Sequence, residues 1–206
     1  MLPTGSTQIP PPLRGTLEGE SVMANVIVDE MRCLAETNEA GSDDIYVMTF
    51  RGRIPSNGSV ATDTEFTVHG GIDYWVNFNS GERGRRGVVL AAYDPRSLYI
   101  VQMVEKDNGR DVAGNVRELY KSGLELAWTA ALARTIGHSA SDRVAVLVSS
   151  ITSAIRGLNS LHMELPKGND DEIGAPRRLI LPAGNPSAVL HFVGDGGHYR
   201  TAVKVA

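Results

Sequence analysis

Carboxylates crowd into three short stretches of the chain that also carry asparagine and glycine. The first is Glu36-Thr37-Asn38-Glu39-Ala40-Gly41-Ser42-Asp43-Asp44 and the second is Glu105-Lys106-Asp107-Asn108-Gly109-Arg110-Asp111. The third is Gly168-Asn169-Asp170-Asp171-Glu172-Ile173-Gly174, and together they hold ten of the 24 acidic residues. Calcium takes about six to eight oxygens from carboxylates, amide and backbone carbonyls and water, on loops where glycine permits sharp turns. The candidate ligands are Glu36, Glu39, Asp43, Asp44, Glu105, Asp107, Asp111, Asp170 and Asp171, and calcium is the cofactor they imply. None of the stretches fits an EF-hand loop; Asp107-Asn108-Gly109 matches only a fragment of one. The same residue types also build ordinary solvated turns, and paired carboxylates can serve acid-base catalysis.

Other reactive side chains are sparse. Cys33 is the sole cysteine, which excludes an intramolecular disulfide and a thiolate metal cluster; its place in an apolar run reads as a small buried hydrophobe. The five histidines, 69, 138, 162, 191 and 198, show no HExxH pattern, although His162 and His191 fall in predicted strands and could meet across a sheet. No GxSxG elbow and no phosphate-loop Gly-Lys-Ser/Thr occurs. Gly81-Glu82-Arg83-Gly84-Arg85-Arg86-Gly87 reads as a hairpin tip, and Arg177-Arg178 as a solvated strand face near the third acidic stretch.

The elements that must position these groups follow from periodicity. β-type patterns occupy residues 22–35, 44–50, 65–78, 88–93 and 98–104, with a break at Gly70-Gly71 that marks a bulge or a bend. Turn signals between them predict an antiparallel meander. From 112 to 136 helix formers take over. After Gly137-His138-Ser139, the residues Val144, Val148, Ile151, Ile155 and Leu158 step along one helical face, with Ser141 as N-cap. β patterns return at 161–165, 177–181, 188–193 and 199–205, the last two joined by Gly194-Asp195-Gly196-Gly197, a strong hairpin signal. The expectation is a mainly β protein: an antiparallel β-sandwich over 21–206 with a two-helix insertion at 113–158. Residues 1–20 contain Ile9-Pro10-Pro11-Pro12-Leu13 and read as an extended arm.

Composition bounds the function. The chain has 206 residues, 20 Lys+Arg against 24 Asp+Glu, and a net charge of -4. Without a basic field, nucleic-acid binding through phosphate neutralisation is not expected. Leu, Ile, Val and Phe make up about a quarter of the chain, enough for a sizeable core. No run approaches the roughly 18 continuous apolar residues of a membrane span, and the N-terminus lacks the basic start and apolar core of a secretory signal. A cytoplasmic product, or one exported without a cleaved signal peptide, is the expectation.

Several of these motifs resemble one kind of domain. Cys33-x-x-Glu36-Thr37-x-Glu39-x-x-Ser42-Asp43-Asp44-x-Tyr46 is similar to the opening of C2-like β-sandwich domains of uncharacterised bacterial proteins. Glu105-x-Asp107-x-Gly109-x-Asp111 and Asp170-Asp171-x-Ile173-Gly174 resemble their later acidic loops, and Gly194-Asp195-Gly196-x-x-Tyr199 their closing hairpin. The helical insertion is additional to the basic C2 scheme. The resemblance implies a calcium-stabilised, non-enzymatic binding or structural module, a subunit of a bacterial multi-protein assembly. The expected partners are further copies of the chain or other assembly proteins, held through the N-terminal arm. Alternative readings are a toxin-like or membrane-active protein using the helical insertion, with a membrane as partner, and, third, a metal-assisted hydrolase.

Overall fold

The computed structural model describes residues 24–38, 43–56, 59–60, 63–84, 86–106, 114–163, 171–184 and 186–206. These form a mainly β protein of two antiparallel sheets with two helices inserted between the fifth and sixth strands. One sheet contains β1 (Asn25–Ala35), β4 (Val89–Ala92), β8 (Ser187–Gly194) and β9 (Gly197–Val205), in the order β4-β1-β9-β8. The other is built on β2 (Asp43–Arg53), flanked by β3 (Thr64–Phe78) and β5 (Ser97–Glu105). The far edge of β5 is shared by β6 (Asp171–Glu172) and β7 (Arg177–Leu179). The N-terminal arm lies outside the described residues.

The first five strands are therefore not a meander. β1 pairs with β9 and β4, whereas β2 pairs with β3 and β5, so the chain crosses between sheets after β1, β3 and β4. The reason lies in burial. β2 and β5 are apolar on both faces and must occupy the centre of a sheet that is covered on both sides. Ile45, Val47, Tyr99, Val101 and Met103 face the first sheet, where they meet Val28, Met31, Leu90, Phe192 and Tyr199 in one core. Tyr46, Met48, Phe50, Leu98, Ile100 and Val104 face the other way and form a second core with the helices.

Those helices are α1 (Gly114–Arg134) and α2 (Ala140–Met163). Their apolar stripes, Tyr120, Leu124 and Trp128 on α1 and Leu147, Ile151, Ile155 and Leu158 on α2, lie on the second core. Ser139, not Ser141, caps α2. Its carbonyl accepts from the Arg143 N–H at 2.9 Å. Its hydroxyl accepts from the Asp142 N–H at 3.2 Å, the bond of an N-cap, and donates to the Asp142 carboxylate at 2.6 Å. Helix α2 also runs through Gly157 to Met163, so 161–163 are helical and no strand begins there. Two contacts hold that last turn: Leu158 packs close to Gly123 of α1, and Asn159 donates to Glu172 at 2.6 Å. Residues 140–161 are long and apolar enough on average to cross a membrane, although their apolar stripe is covered by the sheet.

The bulge expected at Gly70-Gly71 is present. Ile45 pairs with Trp75 while the next residue, Tyr46, pairs with Gly70, so four residues of β3 loop out of the ladder. A side chain at Gly70 would collide with Tyr46. The closing hairpin is a two-residue turn with both central residues at positive φ, 48° for Asp195 and 77° for Gly196, as a type I′ turn requires.

The second core is tightest where Trp128 lies over Gly52 of β2, its ring 5.6 Å from that of Phe50. A Cβ at Gly52 would stand 2.8 Å from the indole. Gly52→Ala is therefore expected to lower stability by about 1–3 kcal/mol in urea denaturation and to red-shift the tryptophan emission. An unchanged midpoint would mean that α1 does not press on β2.

Candidate functional site

Of the nine candidate ligands, Glu39, Asp107, Asp111 and Asp170 lie outside the described residues. The other five stand at one end of the sandwich. In the ladder Ile45 pairs with Glu105 and Glu105 with Asp171, while the Lys106 N–H donates to the Asp44 carbonyl at 2.8 Å. The segments that bound all three acidic stretches thus emerge side by side. The β8–β9 hairpin joins them. The Asn38 N–H donates to the Asp195 carbonyl at 3.1 Å, and Gly194 and Gly174 approach so closely that a Cβ on Gly194 would strike the Gly174 nitrogen. The third stretch begins after a helix and closes into β6, which settles its end of the molecule.

Alternation along β2 sends neighbouring acids to opposite faces. Asp43 points into the sandwich with Ile45 and Val47 and is 1 % exposed. One of its oxygens accepts from the Thr37 hydroxyl at 2.7 Å and the other from the Thr37 N–H at 2.9 Å and the Tyr199 hydroxyl. Three donors on one carboxylate satisfy its acceptor sites away from water. Asp43 is thus an inter-sheet clasp, tying β2 to β9 and to the turn after β1. Its oxygens are engaged inside the fold. Glu36 is likewise engaged, accepting from the Ser80 N–H while its own N–H donates to the Ser80 hydroxyl at 3.2 Å.

Glu172 takes the opposite face, towards the helices. It accepts from Asn159, whose carbonyl accepts from the Tyr120 hydroxyl at 2.6 Å, so one polar chain links β6, α2 and α1. Lys106, 6 % exposed, follows Glu105 at this end of β5. Among the described residues no group of three or more His, Cys, Asp or Glu side chains is arranged to hold a metal ion.

Cys33 is buried in the first core beside Tyr199, its partner across the ladder. Burial pushes its thiol up, and the Asp43 and Glu36 carboxylates add to that against hydrogen bonds from Tyr199 and Ser80. This is a core thiol and not an activated nucleophile. His162 lies on α2, outside any strand, and His191 instead meets His198, Nδ1 to Nε2 at 3.0 Å on the outer face of the first sheet. Burial, and then Arg117, push the His69 imidazole on β3 below its ordinary value, against the opposing pull of Glu65. Arg83 and Arg86 of the glycine-rich loop reach Glu30 at 3.6 and 3.3 Å, which anchors that loop to β1. Arg178 pairs through its backbone with Ile100, far along β5 from the acidic rim. The clasp had one visible signal in sequence, an aspartate opening an otherwise apolar strand.

Comparison of the chain with protein-family models, with curated proteins and with solved structures gives no match.

Burial is the largest cause that raises the Tyr199 phenol far above its ordinary value, and the Asp43 carboxylate adds to it. A raised folded-state pKa contributes stability that is present below the unfolded tyrosine value and is lost as pH climbs past it. Tyr199→Phe is expected to cost about 1.5–3 kcal/mol at neutral pH, because it strips a donor from a buried carboxylate. The gap between the two proteins should shrink as pH rises above about 10, where the unfolded phenol ionises. Urea titrations at pH 7 and across the alkaline range test both statements, and a gap that stays constant with pH would contradict the clasp.

Proposed function

We propose that the protein is a non-enzymatic, C2-like β-sandwich module, stabilised by calcium at its acidic rim and acting as a binding or structural unit of a larger assembly. The observation that supports this reading is the convergence of the described segments that bound the three acidic stretches, and of the Asp195 hairpin, on one end of the sandwich. Loop carboxylates gathered at the mouth of a rigid sheet repel one another unless a cation or a neighbouring lysine offsets them. The proposed ligands are drawn from Glu39, Asp44, Glu105, Asp107, Asp111, Asp170 and Asp171, with Asp43 and Glu36 in supporting roles. Calcium at millimolar concentration is expected to raise the melting temperature and to give binding heat, and a chelator to reverse both. Asp171→Asn should reduce the shift. A calcium-independent melting temperature with no heat would reduce the rim to solvated turns.

The assembly role rests on the sheet edges. β8 ends one sheet, whereas the edge of β4 is closed by β3, whose Thr67 hydroxyl donates to the Leu90 carbonyl and whose Glu65 carboxylate accepts from the Ala92 N–H. A strand edge such as that of β8 invites pairing with a second chain or cover by an arm. A proline-stiffened arm loses little entropy on docking. Removing residues 1–20 is expected to convert an oligomer to a monomer in light scattering; an unchanged mass would exclude the arm as a tether. The membrane-active alternative gains less support, because the stripe of α2 that would face lipid is covered by the second sheet.

A further inference from the structure

At the end of β2 and β5 opposite the acidic rim, an open cleft of about 570 Å³ lies between the start of α2, the turn before β5 and β7. Its described lining holds Arg96, Arg143, Arg178 and His138 and no carboxylate, in a chain whose net charge is -4. Arg143 is 8 % exposed. Two of its nitrogens donate to the Pro55 and Ser59 carbonyls at 3.1 and 3.4 Å, and its Nε has no partner. Among the described residues no carboxylate pairs with Arg143 or Arg178. A guanidinium cannot shed its charge on burial, so a buried one without a counter-ion calls for an anion. The Ser97 hydroxyl, also on the lining, is a second buried polar group without a partner.

The backbone points the same way. Helix α2 opens at Ala140, on the cleft lining, so the positive end of its dipole lies beside the arginines. The end of α1, which would repel an anion, has inward carbonyls already engaged. Leu132 accepts from the Thr135 N–H and hydroxyl, and Thr135 accepts from the His138 N–H. Asp94, which lines the adjoining pocket with Arg178, is paired with Arg53 at 3.0 Å and Arg96 at 3.6 Å, and Asp142 is held in the helix cap.

We propose that this cleft binds the phosphate group of a small anionic ligand. Planar guanidinium forks and a helix N-terminus suit a tetrahedral oxyanion, and Ile54 and Val144 beside them offer an apolar wall to an organic substituent. The site is independent of the calcium reading, from which it is separated by the length of β5. Isothermal calorimetry on the full chain tests it, with inorganic phosphate, glucose 6-phosphate and glucose as probes. Phosphate and glucose 6-phosphate are expected to bind and glucose not to. Arg178→Ala, an exposed position that leaves the core intact, should weaken binding at least about tenfold, whereas Arg83→Ala should not. Equal affinity for the two phosphates assigns the site to the free ion, and tighter binding of the ester assigns it to an organic phosphate. Absence of heat with both at millimolar concentration, or binding unchanged by Arg178→Ala, would overturn the proposal.

Discussion

Strands β2 and β5 have no solvent face, and the rest of the architecture follows from that constraint. Side chains on one face of this pair build the core between the sheets, and those on the other build the core beneath the helices. A strand buried on both faces must also have both backbone edges paired, since an orphaned peptide group away from water is expensive. That condition is met by β3 on one side of β2, and by β6 and β7 along the outer edge of β5. The helical hairpin is therefore not an appendage to a finished sandwich; it is the cover without which the second face of the central pair would stand in water.

Where this wall ends, polar groups appear, and they are held rather than left loose. At one end Asp43 receives three donors and joins the two sheets, while Glu172 is tied through Asn159 to Tyr120 and so to both helices. These bonds define the rim from which the acidic loops rise. At the other end the polarity reverses. The turn before β5 and the start of α2 bring arginines together, with acids such as Asp94 drawn aside into their own ion pairs. A chain of modest net charge thus carries opposite local charge at the two ends of one pair of strands, a distribution that net charge alone conceals.

Much of this was legible in the residues. The change of hydrophobic period at both ends of the insertion, the Gly70 bulge and the Asp195-Gly196 turn each have a local cause, and local causes can be read along the chain. The pairing of strands could not, because β1 and β4 alternate in much the same way wherever they sit. One clue to the pairing was present: Ile45-Tyr46-Val47-Met48 does not alternate, and a continuous apolar run marks a strand covered on both sides. Residues 161–163 are helical because their β-type pattern is overridden by packing of Leu158 on Gly123 and by the Asn159–Glu172 bond, both tertiary. For the site, acidic composition located the stretches, but only the ladder register shows that the strand ends bounding them lie together. The inward turn of Asp43 depends on Tyr199, 156 residues further along the chain.

If β2 and β5 are the common wall of both cores, the helices and the sandwich must unfold together. Native-state hydrogen exchange measures this directly. Amides of β2, β5, α1 and α2 are expected to exchange through a single global opening with one free energy and one denaturant dependence. Exchange of the helices at a distinctly lower free energy, with β2 and β5 still fully protected, would contradict the account.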